Sequence, residues 1–224
     1  KDSYKDTNSK TMVALGFLGE TFSSNIKLAH IYEDYKYFPN NENTDQFSYG
    51  KVNSFIVKYD ASLDLKPSNL LLKGILEYNS VKGKGNNIGE NQRNVFSAVL
   101  LLNHKPTSKI NYGVNFRTEV TDGYEIPFIF SFDSNFQISK IYTLKLNASK
   151  NYRIPTFNDL YWVSGGNLDL KPESSKQLEL GNYLHFKSHK INITGYYIKS
   201  DEMIKWLPTT GSIWSPVNVE EVES

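Results

Sequence analysis

The sequence predicts an all-β fold, an antiparallel up-and-down transmembrane β-barrel. Three observations predict it: apolar residues recur with a period of two, the segments that show this period are long, and the connections between them alternate in length. A strand sends successive side chains to opposite faces, so a period of two makes one apolar face and one wet face.

Ten strands are expected, at about 11–18, 24–37, 48–63, 69–82, 92–104, 108–121, 126–137, 140–152, 174–187 and 190–204, with an eleventh beginning near Val217. The fourth sets Leu70, Leu72, Leu76 and Tyr78 against Lys73, Glu77 and Asn79. The sixth is the clearest. Ile110, Tyr112, Val114, Phe116 and Val120 share one face, and Asn111, Gly113, Asn115, Arg117, Glu119 and Thr121 the other. The ninth repeats the pattern, with Leu178, Leu180, Leu184 and Phe186 opposite Gln177, Glu179, Gly181 and His185. A helical reading of these segments scatters the charges around the cylinder and finds no face. Several segments reach a dozen residues or more, against roughly 5–6 for an ordinary strand. A strand tilted across a bilayer needs about 9–11 residues within the membrane alone.

Short connections fall near 19–23, 64–68, 104–108, 137–140 and 187–189, and longer ones near 38–47, 83–91, 122–125, 153–173 and 200–216. The two kinds alternate, so the short turns share one end of a meander and the long loops the other. Outer-membrane barrels have this arrangement, with short periplasmic turns and long external loops. A Greek-key sandwich has no reason to sort its loops so. Prolines preset two of the turns, Lys66-Pro67-Ser68-Asn69 and Lys105-Pro106-Thr107-Ser108. Tyr32, Tyr35, Tyr37, Phe38, Tyr142 and Tyr152 lie near strand ends, where aromatic girdles meet the two lipid–water interfaces.

Composition removes several function classes. Among 224 residues, Lys plus Arg is 25 and Asp plus Glu is 24, a net charge of +1, so no polyanion such as nucleic acid is held by bulk charge. No apolar run is long enough for a membrane-crossing helix. There is no cysteine, hence no disulfide, thiol catalysis or cysteine-bound zinc. Thirteen Phe, 15 Tyr and three Trp argue against disorder. His30, His104, His185 and His189 have no metal-site spacing. Gly83-Lys84-Gly85-Asn86-Asn87 lacks the Lys-Ser/Thr and the helix of a phosphate loop and reads as an external hairpin. The sequons at Asn147 and Asn192 lie within strands, and no nucleophile elbow is present. No catalytic residue, metal site or cofactor is expected, and the protein is not read as an enzyme. The wet face carries Lys73, Glu77, Arg117, Glu119, Lys145 and Glu179. Dry burial of these charges would be costly, so a wide, wet or plugged lumen is expected. That needs more strands than this chain supplies, and the sequence, with no leader at its start, is expected to be a piece of a longer one.

The longest connection carries the recognition motif. It reads Asn151-Tyr152-Arg153-Ile154-Pro155-Thr156-Phe157-Asn158-Asp159-Leu160-Tyr161-Trp162, then Gly165-Gly166-Asn167-Leu168-Asp169-Leu170-Lys171-Pro172-Glu173, and leads into Glu179-Leu180-Gly181. Pro155 and Pro172 impose extended or turn geometry, and Gly165-Gly166 permits a tight reversal. Asp159, Asp169 and Glu173 can accept backbone N–H groups, and Arg153 and Lys171 can pair with them.

This run resembles the late barrel of TonB-dependent outer-membrane receptors. That family has an Arg-x-Pro-Thr-Phe-Asn-like run with a Leu-Tyr, a Gly-Asn-x-x-Leu-x-Pro-Glu segment and a Glu-x-Gly strand. The matching positions are Arg153, Pro155, Asn167, Leu170, Pro172, Glu173, Glu179 and Gly181. Ile154 stands where a small residue is common and Leu168 where proline is common. The resemblance implies that residues 1–224 are part of a 22-stranded plugged barrel, without the plug, the early strands and the final strands. It further implies an outer-membrane location in a Gram-negative bacterium and energy-dependent uptake through the TonB complex, which contacts the plug. The cargo would be a scarce nutrient such as a ferric siderophore, cobalamin or haem, with the cobalamin and siderophore branch favoured. Membrane lipid and a surface lipoprotein are further partners it suggests.

Two readings of the long loop stand side by side. Either it folds on itself at the rim and only shapes the barrel, or Phe157, Asn158, Tyr161 and Trp162 touch the cargo, as aromatic and amide groups suit amphipathic or sugar-like ligands. Two other functions also remain open, a passive porin-like channel and a soluble all-β carbohydrate-binding module.

Overall fold

The computed structural model describes residues 1–209 and 213–224. Eleven strands form one sheet in strict chain order. They are β1 (Ser3–Leu18), β2 (Phe22–Phe38), β3 (Ser48–Leu65), β4 (Leu70–Gly85), β5 (Gly89–Thr107), β6 (Ile110–Thr121), β7 (Ile129–Gln137), β8 (Tyr142–Arg153), β9 (Glu173–Phe186), β10 (His189–Pro208) and β11 (Trp214–Glu223). Neighbouring strands pair antiparallel throughout. Among the described residues β1 and β11 do not pair, so the sheet is an open segment of an up-and-down meander.

The ten expected strands are all present, and the eleventh begins at Trp214, three residues before the expected Val217. The boundaries differ at the loop end. β1 begins at Ser3 rather than at 11, so the polar stretch before Thr11 is ladder and not lead-in. The connection expected near 83–91 shrinks to three residues, because Gly85 and Gly89 close the β4–β5 ladder as Cα partners. The connection expected near 200–216 likewise shortens, with β10 running to Pro208 and β11 starting at Trp214. Period-two patterning fades where a strand projects beyond the apolar band, since both faces are then wet, while backbone pairing continues. Pro67 does start a short turn, a 3-10 stretch closed by Asn69 in the left-handed region. Pro106 instead lies in the register shift between His104 and Thr107, where a strand tolerates a missing donor.

The register makes the faces explicit. On one face, Tyr59, Leu76, Ala98 and Thr118 follow one another across four strands, and Leu102, Val114, Phe132 and Leu146 lie beside them. This face is apolar and open to its surroundings: Leu100 is 52% exposed and Leu178 55%. The opposite face carries the charges, and it pairs them across strands. Lys58 meets Glu77 at 3.3 Å. Asp60 lies between Lys27 at 3.9 Å and Lys73 at 3.6 Å. Arg117 pairs with Glu119, which also accepts the Ser97 hydroxyl at 2.9 Å. Lys145 sits 4.3 Å over the Tyr183 ring.

Gly181 belongs to this polar surface. A Cβ there would lie 2.8 Å from the Tyr183 ring, and Gly181 is the Cα partner of Lys145. The bare backbone lets the ring lie flat and present its face to the ammonium. That is a packing reason for the Glu-x-Gly element of the motif.

Candidate ligand site at the sheet mouth

The long connection, residues 154–172, folds over the polar face at the loop end. Its first half is a one-turn helix, α1 (Phe157–Tyr161). Thr156 caps it: the Thr156 hydroxyl accepts the Asp159 amide at 3.2 Å, and the Asp159 carboxylate accepts the Thr156 amide at 2.8 Å. This capping box is written in the sequence as Thr-x-x-Asp.

Asp159 is the fulcrum. It is 6% exposed. Besides Thr156, it accepts the Trp206 indole N–H at 2.9 Å and the Arg153 guanidinium at 3.4 Å. Arg153 grips Glu173 with two bonds, at 2.8 and 3.0 Å, a fork geometry that fixes orientation as well as charge. Glu173 also accepts the Ile204 amide at 2.9 Å. Beneath these groups Leu160, Leu170 and Ile204 form a small buried cluster, and Pro155 is fully buried.

The second half is bolted to the β10–β11 hairpin. The Asn167 side chain donates to the Pro216 carbonyl at 3.1 Å and accepts the Asp169 amide at 3.0 Å. Asn218 accepts the Lys171 amide at 2.9 Å and donates to the Lys171 carbonyl at 3.0 Å. Ser215 donates to the Gly165 carbonyl at 2.7 Å. At Gly166 a Cβ would stand 2.6 Å from both the Leu160 carbonyl oxygen and the Trp162 nitrogen, so the reversal admits no side chain. Lys171 pairs with Glu202 at 2.9 Å, not with the acidic residues of its own loop. At the far side, the Val163 amide donates to the Asn87 carbonyl at 2.9 Å. The loop thus spans from β8 to the tip of β4–β5.

Burial by itself would raise the Asp159 carboxyl. Its bonds from Thr156 and Trp206 and the Arg153 charge outweigh that, and its pKa lies below the ordinary 3.8. A depressed pKa stabilises the fold above the unfolded value and ceases to do so as pH falls through the folded one. The lock is therefore expected to hold at neutral pH and to weaken only as acid carries the carboxyl below 3.8. Hydrogen exchange of amides 156–167, corrected for intrinsic rates, measures this. Protection lost already near neutrality would rule out Asp159 as the group responsible.

Between this loop and residues 122–125 lies a cleft of about 680 Å³, within the roughly 300–1,000 Å³ range of ligand sites. Phe157, Tyr161, Arg93 and Tyr124 line it, together with Asp122, Glu125, Asp169 and Lys171. The Arg93 guanidinium lies 5.1 Å from the Phe157 ring centre and 5.9 Å from that of Tyr124. Among the described residues it has no carboxylate partner within ion-pair distance. Burial pushes the Tyr124 phenol above its ordinary range, so its hydroxyl stays a neutral donor. Phe157 and Tyr161 pack on each other at 6.1 Å.

Of the four loop residues expected to meet cargo, Phe157 and Tyr161 line the cleft. Exposed Asn158 lies outside the cleft lining, and half-buried Trp162, also outside it, ends the helix by donating its amide to the Asn158 carbonyl at 3.2 Å. The motif residues Arg153, Pro155, Asn167, Leu170 and Glu173 build the lock, and Pro172 borders the cleft. Glu179 lies half-buried on the polar face of β9. Arg93 and Tyr124 had no signal in the sequence: each is one polar residue in an ordinary strand or loop. Only the fold of the long loop brings them to Phe157.

An open up-and-down meander with one apolar face, an opposite face that pairs its charges and a loop bolted across one end has the architecture of a segment of an outer-membrane-type β-barrel. A family model described as TonB dependent receptor-like, beta-barrel matches residues 2–224. The chain belongs to that family. Over 160 residues it is 33% identical to the vitamin B12 transporter BtuB of Photobacterium profundum, covering 69% of this chain and 26% of that protein. A 78-residue stretch is 42% identical to the vitamin B12 transporter BtuB of Vibrio vulnificus, covering 34% of this chain and 13% of that one. The siderophore receptor PirA from Pseudomonas aeruginosa shares the fold, with a TM-score of 0.80 at 12% identity over 99% of this chain and 46% of PirA. The chain thus spans about a quarter of the length of the first transporter and under half that of PirA. These relatives are named as transporters and receptors, in line with a non-enzymatic role.

Proposed function

We propose that this chain forms part of the barrel wall and the mouth of an outer-membrane receptor for a scarce nutrient. In this reading, further strands and a plug complete the barrel, and a TonB complex supplies energy through the plug. The chain's own contribution is physical. Inter-strand bonds satisfy the backbone in the membrane, the apolar face meets lipid, and the charge-paired face meets the plug and a wet lumen.

The observation that carries the binding role is Arg93, clasped by two aromatic rings in the mouth cleft and, among the described residues, with no carboxylate within ion-pair distance. A guanidinium so held keeps its donors for an incoming acceptor, and the rings offer flat apolar contact. This suits a bulky cargo with both apolar surface and amide, carboxylate or phosphate oxygens. The identity to two vitamin B12 transporters favours a corrinoid over a ferric siderophore or haem. Asn158 and Trp162, next to the cleft lining in the chain, extend the candidate contact surface.

The test uses the whole receptor that carries this segment. Binding of cyanocobalamin, a ferric catecholate siderophore and haem is compared by titration. Arg93→Ala and Phe157→Ala are expected to weaken the preferred cargo at least about tenfold, as loss of a central anchor does. Trp162→Ala is expected to leave the barrel folded and to weaken binding less. Unchanged affinity in Arg93→Ala and Phe157→Ala would remove the cleft from the cargo site. Uptake that survives collapse of the inner-membrane proton gradient would favour a passive channel instead.

A further inference from the structure

On the outward face at the loop end, three lysines stand side by side. Lys150 of β8 is the Cα partner of Lys176 of β9, and Lys176 is the Cα partner of Lys199 of β10. Like charges directly opposite on neighbouring strands repel. Lys199 is relieved by Glu221 at 2.8 Å and Glu223 at 4.0 Å. Lys150 and Lys176 have no carboxylate within ion-pair distance among the described residues.

The rows below this one are apolar. Ala148, Leu178 and Tyr197 come next on the same face, then Leu146, Leu180 and Gly195. Lys150 stands eight residues along β8 from Tyr142 at the short-turn end. That is about 27 Å along the strand, or about 20 Å along the membrane normal at a strand tilt of about 40°. With Tyr142 at the inner interface, the row lies in the upper part of an apolar band about 25 Å tall, and lysine side chains of this length snorkel from there to its outer edge. Cations at that height, with aliphatic columns running down from them, match a lipid whose headgroup is anionic and whose chains lie in the bilayer.

We propose that Lys150 and Lys176 bind the phosphate of an anionic outer-leaflet lipid, whose acyl chains lie along the Ala148, Leu178 and Tyr197 columns, while Lys199 stays with Glu221 and Glu223. The phosphate replaces the carboxylate that the first two lysines lack. A soluble polyanion fits less well, because it leaves the apolar columns unmatched.

The test is native mass spectrometry of the whole receptor in neutral detergent, titrated with short-chain phosphatidic acid, with phosphatidylcholine or with inorganic phosphate. The parent is expected to retain phosphatidic acid selectively and to gain thermal stability from it. Lys150→Gln with Lys176→Gln is expected to weaken that binding about 25-fold, by about fivefold for each cation near an anionic lipid surface. Lys190→Gln, near the short-turn end of β10, is expected to leave it unchanged. Without lipid, the double variant is expected to unfold at a higher temperature than the parent, because the repulsion is relieved. Equal retention of phosphatidylcholine, competition by inorganic phosphate alone, or undiminished binding in the folded double variant would each overturn the proposal.

Discussion

Asp159→Ala is expected to free the long loop from the sheet while leaving the strands intact. The substitution strands the Trp206 indole N–H, the Thr156 amide and one contact of Arg153 in a place where Asp159 itself is 6% exposed. A buried donor without a partner costs about 1–3 kcal/mol, and charged partners cost more. A loss of about 2–4 kcal/mol in local loop stability follows. Arg153 keeps its two bonds to Glu173, so the ends of β8 and β9 stay joined. Asp159→Asn, which can still accept from Trp206, should lose less. Hydrogen exchange across 156–167 and heat-modifiable gel mobility of the whole receptor separate the two effects. Full loop protection in Asp159→Ala would show that Asn167, Ser215 and Asn218 hold the loop without it. A fall in barrel yield would show that the loop is needed for folding.

Val114→Arg carries the second large effect. Val114 lies mid-strand with Leu102 and Phe132 as its cross-strand neighbours, on the face assigned to lipid. An arginine there costs about 2–4 kcal/mol if the position is at the midplane. Asn115, one residue on, faces the lumen side and donates to the Ser131 hydroxyl at 2.8 Å. Asn115→Arg gives up that one bond, about 1 kcal/mol, and its charge stays among hydrated and paired groups. Folded-barrel yield measures both. Equal damage at the two positions would contradict the assignment of faces, because adjacent strand residues must point oppositely.

The long loop shows where pattern reading stops. Its motif was legible, since proline, glycine and a capping pair declare turns by their own backbone chemistry. What the motif is for was not. Arg153, Asp159 and Glu173 can be read as cargo ligands or as mutual partners, and only the approach of Trp206, 47 residues beyond Asp159, decides for a lock. The sequence leaves Lys171 able to pair with the acidic residues of its own loop, and Glu202 takes it instead. Alternation ends at the tips of β4–β5 and β10–β11, so the sequence predicts loops there, yet their ladders continue.

The amino-acid sequence by itself determined the strands, their order, the two faces and the parity of the loops. These follow from a period-two pattern and local turn chemistry, which act over a few residues and survive without knowledge of neighbours. Tertiary structure alone decided the register that sets Lys150 beside Lys176, the closure of the loop by Trp206 and Asn218, and the meeting of Arg93, Tyr124 and Phe157. Each of these joins residues far apart in the chain. Their side chains carry no mark of the partner, and the contact exists only once strand pairing has fixed the backbone between them.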